Sequence, residues 1–219
     1  MKTYKIQHKE EAGLLVKMLL ESTEKEGNIH IGLPGGRSII PIIEAWKDLG
    51  DNLLKRLHLY LVDERLEGEK NAGTIQKHLL DELVKDGRIG EEQVHFPQIK
   101  DDDAATLAAY KEQLPERFDL LIFGAGEDGH IASLFPGHDE LDAEERAVLV
   151  TDSPKPPAKR ISLTFSACNR DATIVLLFLG DAKKEALQGF LEEDYHDCPA
   201  AYFEDYEELH LITDQDVKL

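Results

Sequence analysis

Residues 118–130, FDLLIFGAGEDGH, decide the fold, because a near-continuous apolar run from Phe118 to Phe123 opens directly into a glycine loop, Gly124 to His130. An apolar run without polar alternation suits a strand buried on both faces, as in a parallel sheet. The pattern recurs on either side in NIHIGL (28–33), LHLYLV (57–62), TIVLLFLG (173–180) and ELHLIT (208–213), with AVLVT (147–151) and KRISLTF (159–165) as further strands. Helical periodicity predicts helices over 9–26, 38–49, 73–84, 102–114, 182–191 and 199–207, and a short one near 130–134. Ser38 is the expected N-cap of the second, with Gly27 and Gly50 as stops. Strands alternating with helices imply an α/β chain, a mainly parallel sheet with helices on both faces. In such sheets ligands bind outside the carboxyl ends of the strands.

Composition narrows the function classes. The 219 residues contain no linker-like tract and no repeat, so a single domain over 1–219 is expected. With 44 Asp and Glu against 25 Lys and Arg, the net charge of -19 argues against nucleic acid or an anionic membrane as partner, since both reward clustered cations. Any anion site must be a local basic pocket on an acidic surface. The N-terminal stretch lacks the apolar core of a signal peptide, and no apolar run approaches the roughly 20 residues needed to span a bilayer. Two cysteines, Cys168 and Cys198, suit neither a disulfide framework nor a zinc site, so a reduced, cytoplasmic setting is expected. No histidine pair has metal-ligand spacing, and neither a GxSxG elbow nor a Walker loop is present.

Four segments at or near strand ends are chemically suggestive. Leu33-Pro34-Gly35-Gly36-Arg37-Ser38 reads either as a tight turn with a capping serine or as an anion cradle of backbone N–H groups. Asp63-Glu64-Arg65 is either a surface charge cluster or a set that orients water, sugar hydroxyls or an anion. The glycine loop satisfies GxGxxG, but it lies mid-chain, carries Glu127 and Asp128 where a pyrophosphate would sit, and is followed closely by Pro136. A dinucleotide site is therefore rejected. What the loop presents is Asp128 and His130, a histidine being able to act as a general base near neutrality. Ser153-Pro154-Lys155-Pro156-Pro157-Ala158-Lys159-Arg160 is a proline-stiffened segment that serves as a connector or a phosphate clamp.

Taken in order, GGRS (35–38), DER (63–65), GAGEDGHIASLFPG (124–137) and DSPKPPAKRISLT (152–164) resemble the motifs of the 6-phosphogluconolactonases. The resemblance implies a modified Rossmann-like sandwich shared with glucosamine-6-phosphate deaminases and ribose-5-phosphate isomerases. It implies hydrolysis of 6-phospho-D-glucono-1,5-lactone to 6-phosphogluconate in the oxidative pentose phosphate pathway, with no metal or organic cofactor. His130 stands at the family's catalytic base, Asp128 would orient it, and Arg65 would hold substrate or developing charge. Gly35, Gly36, Ser38, Lys155 and Arg160 would contact phosphate and sugar, with Arg37, Asp63, Asn71 and Gly126 completing the expected substrate-binding set. A phosphorylated sugar lactone is then the small-molecule partner, and the expected assembly is a monomer or weak dimer.

The sequence departs from the family pattern at two places: Arg37-Ser38 replaces the more usual Ser-Thr, and Lys70-Asn71-Ala72 replaces Ser-Asn-Tyr. The rival reading is an amino-sugar-phosphate deaminase or isomerase, in which Asp63 would move a proton between carbons. A non-catalytic sugar-phosphate sensor is another. The run IASLFPG (131–137) and Arg65 follow the lactonase pattern instead.

Overall fold

The computed structural model describes residues 1–23, 25–192 and 194–216. Its strands are β1 (Lys2–Lys5), β2 (Ile29–Leu33), β3 (Leu57–Leu61), β4 (Asp63–Arg65), β5 (Val94–His95), β6 (Leu120–Gly124), β7 (Ala147–Val150), β8 (Arg160–Leu163), β9 (Thr173–Phe178) and β10 (Leu209–Thr213). The helices are α1 (Lys9–Glu21), α2 (Ile40–Trp46), α3 (Asp51–Leu54), α4 (Asn71–Ile75), α5 (Asp81–Leu83), α6 (Asp103–Gln113) and α7 (Lys184–Glu192). Seven strands form one parallel sheet in the order β1-β10-β9-β6-β2-β3-β5.

Both faces of that sheet are buried, which is why its central strands read as unbroken apolar runs. Ile29, Ile31, Leu33, Leu57, Leu59, Leu61 and Ile122 point to one face, where α1 and α2 add Val16, Leu20, Ile42, Ile43 and Trp46. Leu121, Phe123, Ile174, Leu176 and Phe178 point to the other, against Tyr110 of α6, Phe190 of α7 and Phe203. The expected parallel α/β sandwich is the observed one. No helix of the described residues is long and apolar enough to cross a membrane.

Several boundaries differ from expectation for local reasons. Helix α1 stops at Glu21, not near 26, because the hydroxyls of Ser22 and Thr23 take the carbonyl of Leu19. Helix α2 begins at Ile40 with Ile39 as N-cap, so Ser38 caps nothing, and Gly50 starts a separate helix, α3. The helix expected over 73–84 begins at Asn71 and passes through a π-helical turn, Gln76–Leu80, into α5. Residues 199–203 form a 3-10 turn instead of an α-helix. Strands β1 and β5 carry no apolar run and escape detection, the first being an edge strand with Lys2 and Lys5 outward. Strands β7 and β8 do not join the main sheet; they pair antiparallel with β4 in a small second sheet ordered β4-β8-β7.

At the β3/β5 edge three histidines lie on one face: His58 Nδ1 is 2.9 Å from His95 Nε2, and His30 Nδ1 is 3.2 Å from the Tyr60 hydroxyl. Burial lowers the pKa of each; His58 depresses His30 and His95 further, and His30 depresses His95, while Asp119 beside His30 and Glu92 beside His58 oppose the shift and Lys25 reinforces it at His30. A histidine whose folded pKa is depressed contributes stability above its unfolded value of about 6.5, and that contribution is lost as pH falls through the folded value. The urea midpoint is therefore expected to fall between pH 7 and pH 5 by less in His58→Phe than in the wild type, as followed by circular dichroism.

Candidate active site

The chain winds from β2 to β3 and β5 on one side of the sheet, then crosses back to β6, β9 and β10 on the other. The loops after β2 and β6 therefore diverge at neighbouring carboxyl ends, which opens a crevice between them. Val62 closes one side. Its N–H donates to the Leu33 carbonyl of the main sheet while its own carbonyl accepts from Leu163 of the second sheet. The chain thus passes from one sheet to the other in a single residue, and β4 and β8 hang over the crevice. The resulting cleft is lined by Pro34, Gly35, Gly36, Ser38, Asp63, Arg65, Asn71, Gly124, Ala125, His130, Ala132 and Arg160.

Asp63 is almost wholly buried, at 6% exposure. Its Oδ2 accepts from the Ser133 hydroxyl at 2.7 Å and its Oδ1 from Asn71 Nδ2 at 3.0 Å, with Arg160 Nη1 3.9 Å away. Burial pushes its pKa up, against the opposing pull of the Ser133 hydroxyl and the Arg160 guanidinium. Glu64 points the other way and accepts from three backbone N–H groups, those of Arg65, Asn71 and Ala72, at 2.7–2.9 Å. It is the cap of α4 supplied from a neighbouring strand, which explains why that helix starts two residues before the expected position. Burial raises its pKa as well, with the three donors opposing. Asn71 in turn packs on the first motif so closely that a Cβ at Gly35 would lie 2.0 Å from its Oδ1.

The glycine loop holds the reactive pair. His130 Nδ1 is hydrogen-bonded to Asp128 Oδ1, and the imidazole lies 4.6 Å from the Phe135 ring. Burial resists ionisation of Asp128, but the hydrogen bond and charge of His130 outweigh it and hold the carboxyl well below the usual carboxylate range. An ionised Asp128 on Nδ1 leaves Nε2 as the ring nitrogen free to exchange a proton. Gly126 makes this possible, since a Cβ there would fall 1.9 Å from His130 Nδ1 and 2.5 Å from Asp128 Oδ1. After His130 the chain forms no helix, contrary to expectation. Ser133 is fixed by Asp63 and by the Ser162 hydroxyl, which accepts its N–H at 3.0 Å, and the turn that satisfies both puts Ala132 at a φ of 50°.

Of the expected site residues, Gly35, Gly36, Ser38, Asp63, Arg65, Asn71, His130 and Arg160 meet in the cleft. Gly126 and Asp128 sit directly behind His130. Arg37 lines a neighbouring cavity instead. Lys155 stands 3.8 Å from Glu127 and 4.0 Å from Asp128. Arg160 differs most from a free phosphate clamp. Its guanidinium donates to the carbonyls of Lys155, Pro156 and Pro157, so it braces the proline segment and faces Asp63. Three participants escaped sequence reasoning: Glu64 as a cap, Ser133 as a partner of Asp63, and Lys183, whose pKa is lowered by burial and which feels the charges of Glu127, Lys155 and Asp128. Lys183 follows β9 at a strand's carboxyl end, which was the available signal. No group of three or more His, Cys, Asp or Glu side chains placed to hold a metal ion occurs among the described residues.

Two substitutions probe this framework. Gly126→Ala is expected to displace the His130–Asp128 pair and to lower kcat about 100-fold, the usual consequence of misplacing a reacting group by an ångström, with the circular dichroism spectrum retained. Glu64→Ala leaves three backbone donors, that of Asn71 buried and those of Arg65 and Ala72 half-buried, without their acceptor and is expected to cost about 2–3 kcal/mol in urea denaturation.

A model of the family described as glucosamine-6-phosphate isomerases/6-phosphogluconolactonase matches residues 7–211. The chain is similar to a 6-phosphogluconolactonase of Borreliella burgdorferi, 34% identical over 204 residues that make up 88% of this chain and 86% of that one. It is similar to a 6-phosphogluconolactonase of Homo sapiens, 35% identical over 190 residues, 78% of this chain and 72% of the other. The crystal structure of 6-phosphogluconolactonase from Thermotoga maritima matches with a TM-score of 0.80 and 25% identity, covering 97% of this chain and 98% of that one. A monomeric glucosamine-6-phosphate deaminase shares the fold at a TM-score of 0.79 and 20% identity, over 98% of each chain. The chain belongs to the glucosamine-6-phosphate isomerase/6-phosphogluconolactonase family.

Proposed function

We propose that this chain hydrolyses 6-phospho-D-glucono-1,5-lactone to 6-phosphogluconate, the reaction its relatives' names denote, with His130 as general base. The observation that carries the reading is the His130–Asp128 pair, held by a glycine loop at the mouth of a polar cleft at the sheet's switch point. A lactone is an ester held in a ring, so its opening needs an activated water and a place for the charge that develops on the carbonyl oxygen. His130 Nε2 takes a proton from water as the oxygen attacks C1. Asp128, ionised and fixed on Nδ1, stabilises the imidazolium that forms. Arg65 lines the same cleft and supplies positive charge to the tetrahedral oxyanion, with the backbone N–H groups of the first motif as further donors. Collapse of the intermediate breaks the bond between C1 and the ring oxygen, which accepts the proton from His130. Only water is consumed.

Lys155, with Lys183 behind it, supplies the positive charge for the remote phosphate, whose binding energy positions the ring. The deaminase alternative draws no support from Asp63, because both its oxygens are already engaged by Asn71 and Ser133. A cytosolic setting suits the reading, since the sequence carries only two cysteines, Cys168 and Cys198, both buried in the core.

Lactone hydrolysis, measured on freshly generated substrate against spontaneous opening, is expected to be clearly enzyme-dependent and to lose about 10²–10⁴-fold in kcat in His130→Ala. Near-normal turnover in that variant would remove His130 from the mechanism. Lys155→Ala is expected to raise KM about tenfold with little change in kcat, as for a group that binds ground state and transition state alike.

A further inference from the structure

Beside the cleft, and sharing Gly36, Arg65 and Asn71 with it, lies a larger cavity of about 700 Å³, within the usual range for small-molecule sites. Its walls carry Arg37, Arg65, Lys70 and Lys77 against the single carboxylate of Glu69; His78 is engaged by Glu44 at 3.0 Å. None of the four cations makes an ion pair with a carboxylate among the described residues. Arg65 Nη1 reaches only the Glu69 carbonyl at 3.3 Å, and its Nε is buried without a partner; Lys70 donates to the Arg65 carbonyl at 2.8 Å. In a chain whose carboxylates outnumber its cations 44 to 25, four adjacent cations facing one lining carboxylate repel one another.

We propose that this cavity is a second anion site, distinct from the place of the substrate's phosphate, and that it takes a ligand carrying two phosphate groups. The charge matches: four cations less one carboxylate leave about +3, and two phosphate groups carry about −3 to −4 at pH 7. Guanidinium groups at Arg37 and Arg65 suit bidentate contact with phosphate oxygens, and Lys77 adds a point charge. Because Arg65 lines both spaces, an anion in the cavity draws its guanidinium away from the oxyanion it would stabilise. Occupancy therefore lowers turnover in a way that lactone does not compete away, a coupling that rests on the lactonase reading, whereas the site itself does not.

The test uses inorganic pyrophosphate, orthophosphate and fructose 1,6-bisphosphate as probes, with chloride added to hold ionic strength constant. By calorimetry, the wild type is expected to bind pyrophosphate or the sugar bisphosphate at least tenfold more tightly than orthophosphate. The tighter of the two identifies whether the source is inorganic or organic. Lys77→Glu is expected to weaken that binding at least tenfold while leaving the kcat and KM for lactone, without probe, within twofold. In the wild type the bound probe is expected to lower kcat at saturating lactone. Equal binding by wild type and Lys77→Glu, or inhibition overcome in full by lactone, would overturn the proposal by placing the anion in the catalytic cleft. If the wild type hydrolyses no lactone, the functional reading fails, yet the calorimetric comparison still decides the anion site.

Discussion

The cleft depends on one buried carboxylate. Asp63 gathers Ser133 from the loop after β6, Asn71 from the start of α4 and Arg160 from β8. Removing a charge from water is costly unless its hydrogen bonds are satisfied and a counter-charge is near, and Asp63 has all three partners. Loss of the carboxylate would leave Arg160 buried without its counter-ion and release both cleft walls. Period-2 alternation along β4 does the rest, since Asp63 and Arg65 face the cleft while Glu64 turns to the opposite side and caps α4. Three consecutive charged residues thus have three separate duties, two of them architectural.

The electrostatics of the chain are correspondingly local. The net charge is -19, yet two groups of cations stand beside the cleft where loops leave the strands. Lys155 and Lys183 sit with Glu127 and Asp128, and Arg65 with three cations and one acid. The first group is close to neutral and suits a ligand that must leave after each turnover. The second is not, and its charge has no evident structural use.

Much of this was legible beforehand, and the failures have physical causes. The five long apolar strands, the parallel sheet and the glycine loop follow from burial on both faces, a property that composition records directly. Strands β1 and β5 were illegible because an edge strand of charged residues and a two-residue strand have no periodicity to detect. The early start of α4 and the missing helix after His130 are tertiary effects, imposed by Glu64 on one and by Ser133's two anchors on the other. At the site, His130, Asp128 and Arg65 could be picked out because their residue types suggest chemistry. Arg160 looked equally suited to bind phosphate, and only the structure shows that nearby carbonyls already occupy its guanidinium.

The sheet is stitched shut by chain segments from opposite ends of the described sequence: β1 pairs with β10, with Lys2 bonded to Glu208 across 206 positions. During vectorial synthesis the first strand therefore emerges long before its partner exists. At ribosomal rates of about 5–20 residues per second, it waits roughly ten to forty seconds. A strand exposed that long would invite association with its copies on neighbouring nascent chains if it were apolar. Lysines at its two ends make it a poor template for such pairing, so the feature that hid β1 from pattern reading also protects the unfinished protein.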